Sequence, residues 1–68
     1  MIGLTEKEKQ VMELLIKGKR DWEIGAALGV KRRTVRERIG RVCDKLGALT
    51  RSQAAAIYSR TSGLRGTT

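Results

Sequence analysis

The stretch that most constrains this chain is Val30–Gly47, VKRRTVRERIGRVCDKLG. On a helical wheel Val35, Ile39, Val42 and Leu46 fall within about 60° of one another, an apolar stripe that must face a core. The opposite side carries Arg33, Glu37, Gly40 and Asp44, with Arg36 on one flank and Thr34, Arg38 and Arg41 on the other. Lys31, Arg32 and Arg33 open the helix, where the macrodipole is already positive and a small oxygen-bearing side chain would normally cap free amides. That choice is poor for an isolated fold. A polyanion at this end supplies the missing charge and the missing acceptors, so the segment reads as a helix whose amino end meets phosphate.

The rest of the composition narrows the options. In 68 residues there is one cysteine, no histidine, no proline and no phenylalanine. An internal disulfide is impossible, and a histidine-centred or multi-thiolate metal site cannot be assembled. No nucleophile–base pair or phosphate loop is present either, so we expect no enzyme, no cofactor and no metal. No apolar run reaches membrane-spanning length, and a soluble, cytoplasmic, nucleoid-associated protein is the expectation. Residues 1–29 hold five basic and five acidic side chains, residues 30–47 seven and two, and residues 48–68 three and none. Concentrating the net charge of +8 on one helix and the segment after it points to an anionic partner, with nucleic acid ahead of a membrane surface because the apolar side of the helix is committed to a core and carries no aromatic anchor.

Along the chain, Thr5-Glu6-Lys7-Glu8 is a capping box. It starts a helix over about 6–17, with Val11, Leu14 and Leu15 as core stripe, Met12 and Ile16 at its edges, and Gly18 as stop. A second helix spans 21–28 with Asp21 as its cap, buries Ile24, Ala27 and Leu28, and ends at Gly29. Gly25 lets the second helix and the third, 31–46, approach closely, and the Gly29-Val30 corner between them fits a helix-turn-helix. Cys43, beside the apolar stripe, belongs to the core. A further capping box, Thr50-Arg51-Ser52-Gln53, opens a fourth helix over 51–59, and residues 59–68 read as a flexible basic tail. The expected fold is all-α, a small four-helix bundle occupying residues 1–58. Self-association would help so small a core.

Five motifs in order, Leu4-Thr5-x-x-Glu8-x-x-Val11, Gly18-x-x-x-Trp22-Glu23-Ile24-Gly25, Thr34-Val35, Lys45-Leu46-Gly47 and Arg51-x-Gln53-Ala54, resemble the LuxR-type (GerE/FixJ-type) DNA-binding domain of bacterial regulators. The Trp-Glu-Ile triplet is most similar to members that follow acyl-homoserine-lactone sensor domains. The resemblance implies a third helix in the major groove, a second bracing the DNA backbone, and a fourth pairing with its twin in a dimer. Lys31 and Arg20 stand where the family commonly has serine caps, Arg38 where histidine is frequent, and Gly40 where a longer polar side chain is usual, so the resemblance does not extend to assuming the family's usual operator.

For base reading the candidates are Arg32, Arg33, Arg36, Glu37 and Gly40: an arginine fork matches the two acceptors of guanine, and a carboxylate accepts from the cytosine amino group. Glu37 also stands four residues from Arg33 and Arg41, and ion pairing along the helix is the reading its spacing favours. Gly40, at about 1 kcal/mol cost against alanine, gives either close approach or nothing. Phosphate candidates are Lys19, Arg20, Trp22, Lys31, Thr34, Arg38, Arg41 and Lys45, each alternatively plain surface charge or packing. Ala54, Ala55, Ile57 and Tyr58 are candidates for a dimer face, although Ala54 and Ile57 equally suit the monomer core. The expected function is sequence-specific DNA binding by a dimeric transcription regulator that recruits or occludes RNA polymerase. Two alternatives stand beside it: a module that masks or heterodimerises with a full-length LuxR-type regulator, and a domain like region four of a sigma factor.

Overall fold

A computed structural model describes the backbone of residues 3–67 and the side chains of residues 3–61. Four helices follow one another: α1 (Glu6–Ile16), α2 (Asp21–Leu28), α3 (Arg32–Leu46) and α4 (Arg51–Thr67). The Thr5 hydroxyl accepts from the Glu8 amide at 3.1 Å and the Glu8 carboxylate accepts from the Thr5 amide at 2.9 Å, so the first capping box closes as expected. At the second, Gln53 N–H donates to the Thr50 hydroxyl, but the Gln53 side chain accepts from Leu49 N–H at 2.7 Å, one residue further back.

Val35, Ile39 and Val42 are buried and α3 is thereby fixed in rotation. Val11, Ile24, Val35 and Ile39 form one apolar cluster, and Met12, Val42, Ala54 and Tyr58 form a second; Cys43 packs against both. Met12, expected at an edge, is fully buried, and Ile16 is exposed. Burying each large apolar side chain contributes about 1.5–3 kcal/mol; α3 supplies Val35, Ile39 and Val42 and α1 supplies Val11 and Met12, so these two helices tie the clusters together.

The α2–α3 corner depends on two glycines. Gly29 ends α2 at φ 71°, ψ 33°, a left-handed conformation that costs a side-chain-bearing residue about 1–2 kcal/mol. A β-carbon on Gly25 would lie 2.7 Å from the Val30 carbonyl oxygen, so the turn closes against bare backbone.

Three expectations are corrected. Asp21 is the first helical residue of α2 and the cap position falls to Arg20; Asp21 is drawn off by partners described below. Ala27 is exposed, because an eight-residue helix leaves only the Ile24–Gly25 side against its neighbours. Helix α4 runs Arg51–Thr67, longer than the expected 51–59. No proline interrupts Ser59–Thr61, and the Thr61 hydroxyl bonds back to the Ile57 carbonyl within the helix.

Candidate nucleic-acid interface

The packing of α3 decides what it shows to solvent. Arg32, Arg33, Arg36, Glu37, Gly40 and Arg41 are exposed, while Thr34 and Arg38 are half-buried at the edge of the packed face. The N-cap residue Lys31 makes no side-chain cap, and the first turn holds no acidic residue. The opening amides of α3 are therefore left for an acceptor from outside the chain. A methyl group at Gly40 would meet nothing in the protein, so no packing demand accounts for the glycine.

Next to this face lies the start of α2. Lys19 and Arg20 are exposed ahead of it and Trp22 is 56% exposed on its first turn. The Glu23 carboxylate accepts from the Arg20 amide at 2.7 Å; Arg20 has no side-chain oxygen to return the bond, so only half of a capping box forms. Lys19, Arg20, Trp22, Arg32, Arg36 and Arg51 line one shallow depression around Asp21. The fold thus joins two groups that the sequence keeps apart, the α2 phosphate candidates and two of the arginines proposed to read bases.

Arg51, which the sequence motifs include without a site role, is the member of the depression that sequence reasoning missed. Its guanidinium donates to both Asp21 oxygens, Nη1 to Oδ1 at 2.6 Å and Nη2 to Oδ2 at 3.2 Å. Arg36 donates through Nε to the same Oδ2 at 3.4 Å. Held first by Arg51 and then by Arg36, the Asp21 carboxyl titrates below its ordinary range, and the same bond raises Arg51. Residues 21 and 51 lie too far apart in the chain for any periodicity to announce the pair.

Elsewhere the contacts differ from what the spacing suggests. The Lys45 ammonium donates to Glu8 Oε1 at 2.7 Å and to the Gly3 carbonyl at 3.3 Å, so a side chain expected at phosphate is used to join α3 to α1. Among the described residues Glu37 makes no ion pair with Arg33 or Arg41. All three are exposed, and the few tenths of a kcal/mol available to such a pair do not hold it against water. On α4, Ala54 and Tyr58 face inward and Ala55 and Ile57 are half-buried. The Tyr58 hydroxyl donates to Glu13 Oε2 at 2.6 Å, which makes Tyr58 a monomer core residue. Among the described residues no group of cysteine and carboxylates is placed to hold a metal ion, and no helix is long and apolar enough to cross a membrane.

A short helix packed through Ile24 and Gly25, a glycine corner and a helix with an exposed cationic side define a helix-turn-helix domain. Residues 3–58 match the family described as bacterial regulatory proteins, luxR family. The chain belongs to that family of DNA-binding transcription regulators. It is 39% identical over 57 residues to the transcriptional activator protein BjaR1 of Bradyrhizobium diazoefficiens, covering 84% of this chain and 24% of that protein. It is 43% identical over 51 residues to the spore germination protein GerE of Bacillus subtilis, covering 75% of this chain and 69% of the relative. The transcriptional regulatory protein YdfI of Bacillus subtilis is 43% identical over 54 residues, 79% of this chain and 25% of its own length. The chain thus spans about a quarter of BjaR1 and YdfI and about two thirds of GerE.

Proposed function

We propose that this chain binds double-stranded DNA sequence-specifically as a homodimer, with α3 in the major groove, and regulates transcription by recruiting or occluding RNA polymerase. The observation that carries the reading is a continuous cationic surface: the exposed side of α3 runs into the depression at the start of α2, while the other side of α3 is committed to the core. Arg32, Arg33 and Arg36 are the base-reading residues; Lys19, Arg20, Trp22, Lys31, Thr34, Arg38 and Arg41 hold phosphate or sugar. Lys45 has an internal partner and is not part of this set. Asp44 would repel phosphate at the carboxyl end of α3, so the first half of the helix goes deep. The dimer forms on the outer side of α4 around exposed Ala56, flanked by Ala55 and Ile57, and sets two half-sites about one helical turn apart.

Selection of bound sequences from a random duplex pool tests this directly, with enrichment of a two-fold symmetric site as the expected result. Absence of enrichment would remove sequence-specific recognition. Amide shifts on titration with the selected duplex should centre on residues 31–41; shifts confined to another surface would overturn the docking mode.

A further inference from the structure

We infer that Asp21 is a positioning residue for sequence recognition: it anchors Arg36 by its Nε so that the remaining two nitrogens of the guanidinium present a fixed fork to a base pair. The inference rests on the proposed base-reading role of Arg36 and goes beyond it, because Asp21 itself touches no DNA.

The geometry distinguishes the two arginines that share this carboxylate. Arg51 spends both terminal nitrogens on Asp21, at 2.6 and 3.2 Å. Arg36 spends only Nε, through the longer contact of 3.4 Å, and its side chain stays 63% exposed. Asp21 is only 16% exposed and stands on the first turn of α2, so the anchor is a packed element and not a second mobile side chain. An arginine carries about 2 kcal/mol of rotamer entropy, and anchoring one nitrogen before DNA arrives removes part of that ordering cost from the bound state. With Nε occupied, the fork left for the guanine O6 and N7 acceptors is the Nη1–Nη2 edge. Arg51 completes the device. A bare carboxylate at the edge of a phosphate-binding surface would repel DNA, and bidentate pairing neutralises it.

A competing use of the same atoms is that Asp21 imitates phosphate and withholds Arg36 and Arg51 from DNA. The two uses differ in outcome. Asp21→Asn, Arg36→Ala and the double variant would be compared on the selected site and on random duplex, with thermal melting as a check on folding. If Asp21 positions Arg36, D21N lowers the ratio of cognate to random affinity by about 3–10-fold, the difference between a charge-assisted hydrogen bond and the weaker one an amide oxygen still accepts. The loss falls at the base pair that R36A also relaxes, and D21N adds nothing in the R36A background. Equal gains on both duplexes would show competition and overturn the inference; so would equal losses with a lowered melting temperature, or an effect that persists without Arg36. If R36A alone leaves the ratio unchanged, the base-reading role itself fails, which is a separate result. Should D21N not fold, Arg51→Ala serves instead. It leaves the Asp21–Arg36 contact in place, so all duplexes should weaken together with the ratio kept; a ratio reduced to that of R36A would overturn the inference.

Discussion

The Lys45 ammonium lies 2.7 Å from the Glu8 carboxylate, so the carboxyl end of α3 is tied to the capping box that starts α1. Glu8 is the buried partner, 5% exposed against 37% for Lys45. Removing the cation leaves a carboxylate that water reaches poorly. Lys45→Met should therefore lower stability by about 1–2 kcal/mol, less than the cost for a fully buried pair because the ammonium is partly in water. The melting temperature should fall about 4–8 °C for each kcal/mol lost. The salt dependence of DNA binding should stay as it is. A slope that falls by about one unit would mean that Lys45 leaves Glu8 for phosphate when DNA is bound.

Acid should undo the same contact. Lys45 in first place holds the Glu8 carboxyl below its ordinary value of 4.5, and Arg51 does the same to Asp21, whose ordinary value is 3.8. A lowered folded-state pKa means that the native chain binds fewer protons in acid than the unfolded one. Stability from these two groups is fully present above the unfolded values and is lost as pH falls through them toward the folded ones. With no histidine in the chain, melting temperatures should change little between about pH 5.5 and 7.5 and drop below about pH 4.5. Melts of the parent and Glu8→Gln across that range check it: the variant starts lower and shows a shallower acid limb.

These contacts mark the limit of what the sequence discloses. Helix periods, the Thr5–Glu8 box and the glycine corner at Gly25 and Gly29 are local patterns, set by residues within a few positions of one another, and the four helices follow from them. The stripe Val35, Ile39, Val42 identifies the buried side of α3 and hence its exposed one. What joins the helices is different in kind. Asp21 meets Arg51, Glu8 meets Lys45 and Glu13 meets Tyr58 across 30, 37 and 45 residues of chain, spacings with no periodic signature. For that reason Asp21 reads locally as a cap, Lys45 as a phosphate clamp and Tyr58 as a dimer residue, while in the folded chain each side chain bonds a residue on another helix. Arg20 and Trp22 stand two positions apart at the start of α2, so their closeness in the depression follows from the local chain.

Reading and clamping arginines should separate by salt. Arg41 lies on the exposed flank of α3 and has no ion-pair partner among the described residues. Arg41→Ala should weaken cognate and random duplex alike and flatten the salt slope by about one unit. Arg36→Ala should instead cost about 1–3 kcal/mol on the selected site and little on random sequence. Binding isotherms at four salt concentrations decide between the roles. Identical behaviour of the two variants would dissolve the distinction.

The two sides of α4 make the last prediction. Ala54 and Tyr58, one turn apart, both point into the second apolar cluster, and the Tyr58 hydroxyl is bonded to Glu13. Ala56 points the other way, into solvent. A charge at position 56 therefore disturbs association without touching the core, while losing the hydroxyl at 58 disturbs the core without touching the outer side. Ala56→Glu should move sedimentation toward the monomer, leave the melting temperature of dilute protein nearly unchanged, and weaken binding to a two-fold site more than to a single half-site. Tyr58→Phe should lower stability by about 1 kcal/mol, the net worth of one hydrogen bond, with the association constant unaltered. If the second variant dissociated the protein and the first did not, the dimer would have to be built on the inner side of α4, which is possible only if α4 leaves its own bundle to pair.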